Sequence, residues 1–287
     1  MISINPKDVS TGEFHGWMLH AVAPRPIAFA STINEEGLPN LAPYSFFNAY
    51  SSNPPTLVFS SNVRVRDNST KDTLANIKAN REVVINVVSY NIMRQMAIAS
   101  VEYPSNVNEF EKAGFTSLKS ELVKPYRVAE SPVQMECRVN DIVALGDKGG
   151  AGNLFICEIL LMHVHRGVLD DNGKIDPQKI DLVARMGANN YCRASGDAIF
   201  QHNQPVNELV IGFDQLPNHI RYSNVLTGND LAKLANVKAL PKVDPDFNLQ
   251  KLFAAGCESA AEAHQLAKKL LENNQVEMAW QVLLTSH

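Results

Sequence analysis

Over the first two-thirds of the chain, apolar residues come in short runs separated by polar, glycine- and proline-bearing breaks. Residues 26–32, 41–47, 56–60, 83–88, 133–145 and 154–168 are rich in β-branched and aromatic side chains and predict strands. Six such runs suggest a barrel. Asn34-Glu35-Glu36-Gly37 supplies a turn between the first two, with Gly37 free to adopt a positive φ, so these strands are expected to form an antiparallel hairpin. Lys71-Asp72-Thr73-Leu74-Ala75-Asn76-Ile77 reads as a short helix with Asp72 as its N-cap and Leu74 and Ile77 on one face. A second helix is expected from about Ser89, turning Ile92, Met93, Met96 and Ala97 inward. A third, over 107–113, stops at Gly114.

From residue 203 the texture becomes helical. Pro217 suits a first helical position, and Thr227-Gly228-Asn229-Asp230 reads as a capping-box start. Asp244-Pro245-Asp246 breaks the chain. Residues 258–272 then place Ala263, Leu266, Ala267, Leu270 and Leu271 at helical spacing, and a shorter pattern runs through Val276, Ala279, Val282 and Leu283. The expected organisation is a strand-rich domain over 1–202 and a helical C-terminal extension over 203–287. The apolar stripe of that extension is expected to join a subunit interface or to cover a barrel opening.

Composition narrows the function classes. With 287 residues, 45% hydrophobic and 20% charged, the chain can bury a full-sized core. No apolar run approaches the roughly 18 residues of a membrane helix, and the first residues lack a signal-peptide pattern, so a cytoplasmic location is expected. A net charge of -4 gives no electrostatic footprint for nucleic acid or for an acidic membrane. Small molecules or proteins are the expected partners. Cys137, Cys157, Cys192 and Cys257 are widely separated and suit reduced structural thiols.

Common nucleotide and hydrolase signatures are missing: there is no G-x-G-x-x-G after a strand, no G-x-x-x-x-G-K-[ST], no G-x-S-x-G and no H-E-x-x-H. The glycine-rich patch 146–153 sits between two strands and reads as a hairpin loop before a phosphate clamp. His163 and His165 share one face of a strand, which leaves open two metal ligands or a pair of polar barrel or interface histidines. No metal site is assigned.

The informative region runs from Pro24 to Thr73, where Thr32, Ser45, Asn48 and Ser60 gather at strand ends. A flavin mononucleotide, FMN, makes two demands: a dianionic phosphate needs several donors, and a flat ring needs apolar faces with a few edge hydrogen bonds. Ser60, Lys71, Thr73 and the backbone N–H groups opening the Thr73 helix could serve the phosphate. Ile27, Phe46 and Phe47 could face the ring, with Thr32, Ser45 and Asn48 at its edges. The same residues also suit ordinary turns and caps, and composition alone favours that plainer reading.

Order and spacing of motifs change the balance. Pro24-Arg25-Pro26-Ile27-Ala28-Phe29-Ala30-Ser31-Thr32, Asn40-Leu41-Ala42-Pro43-Tyr44-Ser45-Phe46-Phe47-Asn48, Pro54-Pro55-Thr56-Leu57-Val58-Phe59-Ser60 and Lys71-Asp72-Thr73-Leu74-Ala75-Asn76-Ile77 together resemble the flavin reductase-like, FMN-binding split-barrel family. The resemblance continues through 82–88 and, more weakly, through Ala184-Arg185-Met186-Gly187 and Tyr191, covering about residues 10–200. It implies a mainly β fold with peripheral helices, an FMN-binding split β-barrel carrying the helical extension. It further implies that Arg25, Pro26 and Ile27 border the flavin, that Thr32 contacts its ring or ribityl chain, that Ser45, Phe46, Phe47 and Asn48 line the ring, and that Ser60, Lys71, Asp72 and Thr73 hold the phosphate.

The implied activity is that of an NAD(P)H-dependent flavin reductase, with NADH or NADPH as hydride source, a homodimeric assembly, and an oxygenase or redox protein as electron acceptor. The alternative is an FMN-bound electron carrier without a nicotinamide site. Many family members carry Gly-Asp-His near the nicotinamide; here Gly146-Asp147 is followed by Lys148. No catalytic side chain is assigned.

Overall fold

The computed structural model describes residues 1–202, 209–245, 247 and 259–285. It divides into two compact units, Met1–Phe200 and Gln201–His287. The expected boundary at Asn203, the Asp246 and Glu258 ends of the expected tail elements, and Cys257 lie outside the described residues.

The first unit opens with α1 (Thr11–Ala21), capped by the Ser10 side chain, which accepts from Glu13 N–H. Sequence patterning missed this helix because it buries no residue. The strands β1 (Ala28–Ile33) and β2 (Pro39–Tyr44) form the expected hairpin, with Gly37 at φ 85°. The expected run 41–47 is in fact two strands: β2 stops at Tyr44, and β3 (Phe47–Ser52) starts after Ser45 and Phe46, ahead of β4 (Pro55–Asn62).

Next come α2 (Asp72–Asn80), β5 (Glu82–Val87), α3 (Met93–Ile98), α4 (Glu109–Ala113), β6 (Ser117–Leu118), β7 (Arg127–Val128), β8 (Val133–Ala144) and β9 (Gly152–Val164). The unit closes with α5 (Pro177–Ile180) and the small hairpin β10 (Val183–Arg185) and β11 (Tyr191–Arg193). The main sheet has seven strands in the order β2-β1-β5-β8-β9-β4-β3, and every pairing in it is antiparallel.

The order of strands dictates the curvature. A flat seven-stranded sheet would hold its edges roughly 29 Å apart at the usual strand spacing. Here the edge strands β2 and β3 are consecutive in the chain and joined only by Ser45 and Phe46, a link that spans at most about 11 Å. The sheet must therefore roll until its edges meet. Phe46 C=O accepts from Ser60 N–H at 2.9 Å, pinning the link to β4 at that seam, while β2 and β3 themselves stay unpaired. The barrel is split there.

Strand β1 is buried on both faces, and its alternation sorts two cores. Ala28 and Ala30 point into the barrel with Leu57, Phe59, Ile85, Cys137 and Phe155. Ile27 and Phe29 point outward, under a cover formed by Ile92, Met96, Phe110 and Phe115. The cover contains Ile92 and Met96 as expected, with Met93 packed against it, but Ala97 is exposed and Ala99 is buried in its place. Gly114 ends α4 in the left-handed conformation at φ 69°. The expected N-cap of α2 is corrected: Lys71 holds that position and Asp72 is the first helical residue.

The glycine-rich patch is a hairpin loop between β8 and β9, as expected. It packs against the chain after β4: Gly150 N–H donates to Val63 C=O and Val63 N–H to Ala151 C=O, both at 2.8 Å. A Cβ on Gly149 would lie 2.7 Å from Val65 Cα. Only glycine permits that approach. His163 and His165 have different partners, His163 Nε2 lying 2.7 Å from the buried Glu136 carboxylate and His165 Nδ1 accepting from Gly167 N–H. Burial raises the Glu136 pKa, but N–H donors from Glu121 and Leu122 together with His163 hold it below the usual carboxylate range.

The second unit contains α6 (Asn218–Arg221), α7 (Gly228–Ala235), α8 (Ala260–Glu272) and α9 (Val276–Thr285). Thr227 and Asp230 form the full capping box, whereas Pro217 is the N-cap of α6 and not its first residue. The expected apolar stripe packs largely within this unit. Ala263, Ala267, Leu271, Ala279, Val282 and Leu283 are buried in this unit's own core around Trp280, whose Nε1–H donates to Leu234 C=O. No described helix is long and apolar enough to cross a membrane.

Candidate functional site

Two cavities adjoin beside β2, and Ser100 lines both. The larger, of about 230 Å³, is lined by Ile27, Pro43, Tyr44, Ser45, Met96, Ser100, Arg185 and Tyr191. Reciprocal backbone bonds between Arg25 and Arg185, at 2.9 Å each, bring the β10 end beside Ile27. Arg185 lies with its guanidinium carbon 4.7 Å from the Tyr191 ring centroid and donates to Ala188 C=O at 2.8 Å. It is the one formal charge on an otherwise neutral wall. The chain after β10 is held close to α1: a Cβ on Gly187 would meet the His20 ring at 2.0 Å.

The second cavity is shallow and charged. Asn40, Ala42, Arg64, Lys71 and Asp72 form one side, and the segment from Ala99 to Tyr103 with Glu109 forms the other. It lies at the start of α2, where helix dipole and unpaired N–H groups favour an anion. Lys71 is half-buried with Nζ 4.9 Å over the Tyr44 ring, and no described residue gives it an ion pair or hydrogen bond. Burial first, and the Arg64 charge second, lower its pKa from the usual lysine value. Arg64 is held in place through Nη1, which donates to Ser69 Oγ at 2.8 Å and to Thr70 C=O at 2.9 Å. Glu109 is buried, accepts from Leu41 N–H at 3.1 Å, and is pushed above the usual carboxylate range by its burial.

Behind this cavity the polar residues are interlocked. Asn40 Nδ2 donates to Thr32 Oγ1 at 2.9 Å and to Thr73 Oγ1 at 3.0 Å, and Asn76 Nδ2 donates to Thr32 Oγ1 at 3.1 Å. Thr32 and Thr73 are fully buried. Ser31 Oγ, Ser61 Oγ and Tyr44 OH are buried without a hydrogen-bond partner. The Tyr44 hydroxyl is pushed up to about 12, chiefly by burial, with Thr73 and Ser61 close enough to oppose the shift. The Tyr44 ring lies under Lys71 Nζ and its hydroxyl lies near Thr73 and Ser61, so buried hydroxyls gather behind the unpaired lysine.

The residues expected from sequence are therefore distributed unevenly. Ile27 and Ser45 line the larger cavity, and Lys71 and Asp72 line the charged one. Thr32 and Thr73 sit behind the latter. Ser60 is buried next to Ser61 and donates to Asn62 Oδ1 at 3.2 Å. Phe46, Phe47 and Asn48 line neither cavity: Phe46 meets the His15 ring edge-on at 6.0 Å, Phe47 packs on the barrel core, and Asn48 is exposed. Pro26 is exposed as well, and Arg25 spends its guanidinium on the carbonyls of Leu19, Val22 and Met186. Arg64, Asn40, Tyr44 and the 99–103 segment were missed. Arg64 lies in Arg64-Val65-Arg66-Asp67, which reads as a solvated charged loop.

Comparison with known proteins decides what this arrangement belongs to. Residues 19–179 match the model of the flavin reductase like domain. The chain belongs to that family. Within it, a protein of Aquifex aeolicus (strain VF5), itself described as uncharacterised, is 37% identical over 191 residues, 67% of this chain and 95% of the relative.

Among solved structures, component B of nitrilotriacetate monooxygenase from Bacillus cereus superposes with a TM-score of 0.65 at 26% identity, covering 71% of this chain and 98% of that one. A 2-nitrobenzoate 2-nitroreductase of Pseudomonas fluorescens gives 0.62 at 26% identity, covering 70% and 96%. The fold is thus the split barrel of flavin reductase-like proteins, and the chain is a flavin-related oxidoreductase. The helical unit Gln201–His287 lies beyond the family match.

Proposed function

We propose that the chain is an FMN-dependent reductase that takes hydride from NADH or NADPH. The observation that carries the reading is Lys71: a half-buried cation with no ion pair or hydrogen bond among the described residues, at the start of α2, with Glu102 and Glu109 in the same cavity and the larger cavity adjoining. A volume of about 230 Å³ is below the roughly 300–1,000 Å³ of pockets that enclose a whole drug-sized ligand. The neutral cavity accordingly suits the ring alone, with the ribityl chain crossing Ser100 toward Lys71. Lys71, the α2 N–H groups and Arg64 would then hold the phosphate, with Thr73 and Thr32 fixing Asn40 behind it.

When bound, flavin supplies the redox chemistry, accepting hydride at N5 and passing electrons onward. The protein's residues bind and orient. Tyr44, Pro43 and Ile27 would help to exclude water from a bound ring, and Arg185, stacked on Tyr191, would bring a positive charge to it. The Bacillus cereus relative is named as a monooxygenase component, which supports an oxygenase as consumer of reduced flavin. A homodimer fits the exposed Trp17 and Met18 of α1, Val22 just after it and Tyr50 on the edge strand β3, apolar surface that a second copy would cover. Sedimentation of the purified protein tests that assembly.

One observation favours the carrier reading instead. Lys148 stands where a nicotinamide-side histidine is expected, exposed on the hairpin loop. Stopped-flow mixing separates the two. Bleaching of the visible flavin band by NADH or NADPH at catalytic rates supports the reductase; bleaching only by a reduced protein supports the carrier.

A further inference from the structure

The charged cavity already contains an oxyanion. Glu102 lies on its wall, its Oε1 2.9 Å from Arg64 Nε and its Oε2 on Arg66 Nη2. The segment that carries it, from Ala99 to Tyr103, lines the same cavity as Lys71. Just beyond, Ser105 Oγ donates to Asp72 Oδ1 at 2.8 Å, tying this strap to the first residue of α2. A carboxylate on an arginine at an anion-binding helix start has the chemistry of the group expected there.

We propose that Glu102 is a specificity-determining residue of the anion cavity, its carboxylate holding the phosphate's position on Arg64 until a phosphorylated flavin displaces it. The inference rests on the phosphate reading given above. Arg64 is built for such an exchange. Nη1 is fixed to Ser69 and Thr70, so the guanidinium stays in place whichever oxyanion occupies Nε, and Nη2 has no hydrogen-bond partner among the described residues. Glu102 is not stranded by the exchange, because Arg66, itself anchored by Asp67 at 3.0 Å, remains as its partner. The swap therefore replaces one charge-assisted bond with another, and the net gain from phosphate is smaller than an open arginine would give.

Two consequences distinguish Glu102 from a simple structural ion pair. Its effect is confined to ligands bearing the phosphate, since a flavin with a neutral tail does not displace it. Its direction is opposite to that of Lys71, because removing the Glu102 charge tightens binding. A competitor built into the cavity keeps FMN exchangeable, as a reductase that delivers free reduced flavin requires.

The test is calorimetric titration of the full chain, stripped of flavin, with FMN and with riboflavin, for the wild type and Glu102→Gln. A thermal melt without flavin confirms that the variant is folded. The expected result is FMN affinity about three- to fivefold higher in the variant, the size of a partly exposed ion pair, with riboflavin affinity unchanged. Equal or weaker FMN binding overturns the inference, and so does an equal gain for riboflavin, which would mean that Glu102 shapes the cavity without competing for Arg64. Wild type and variant that both bind riboflavin but gain nothing from the FMN phosphate remove the phosphate reading itself, and the inference with it.

Discussion

The two ends of the site are made differently. The cations of the charged end, Arg64 and Lys71, come from one stretch of chain between β4 and α2, while β2, the 99–103 segment and Glu109 complete its lining. The ring end is assembled from β1, β2, α3 and the β10–β11 hairpin, segments far apart in sequence. A local site can be read from spacing and broken by one charge; a composite one depends on packing between elements, and its loss should be insensitive to the ligand's tail.

The largest effect is expected at the charged end. Lys71→Ala should weaken FMN binding by about 1.5–3 kcal/mol, the range for a hydrogen bond to a charged group, while riboflavin affinity hardly changes. Equal losses for both flavins would erase the contrast between the ends. Gly187→Ala comes next, since its Cβ would lie 2.0 Å from His20. Overpacking of that kind costs about 1–3 kcal/mol, read as a lower urea midpoint, and the displaced β10–β11 hairpin should weaken FMN and riboflavin alike.

The pH dependence should be smaller and confined to FMN. Burial lowers the Lys71 pKa in the free protein, so above that value the amine is neutral and must take up a proton to meet the phosphate. FMN affinity should therefore fall with rising pH, beginning below the usual lysine range, by no more than about 1.4 kcal/mol per pH unit. Titrations with FMN that stay flat through this alkaline window would remove Lys71 as the phosphate's cation. Smallest is Arg185→Gln, which removes the stacking on Tyr191 and should cost both flavins about 0.5–1 kcal/mol. A loss limited to FMN would place Arg185 at the tail and not at the ring.

What was legible in sequence follows the same division. The β1–β2 hairpin, the Gly114 stop and the Thr227 capping box are local devices, and spacing revealed each. Lys71-Asp72-Thr73 was legible as a helix start for the same reason, although the cap proved to be Lys71. Helix α1 left no pattern because it buries nothing, and the seam at Ser45 and Phe46 was hidden because both flanking segments read as one apolar run. Phe46, Phe47 and Asn48 read as ring contacts from their neighbours in sequence, and in the fold they line neither cavity. Arg64 and Glu102 lie far apart in the chain with no motif linking them. Only the fold brings them face to face.

The seam between β2 and β3 has one more consequence. Ser45 is half of the barrel's closure and also part of the cavity wall. An insertion there would unroll the sheet and open the pocket in the same event, so this side of the pocket cannot vary while the barrel survives. The opposite wall, from Met96 to Ser100 and at Arg185 and Tyr191, hangs on elements outside the barrel. In this chain, one wall of the pocket is thus tied to the closure of the barrel, and the other can be replaced without touching it.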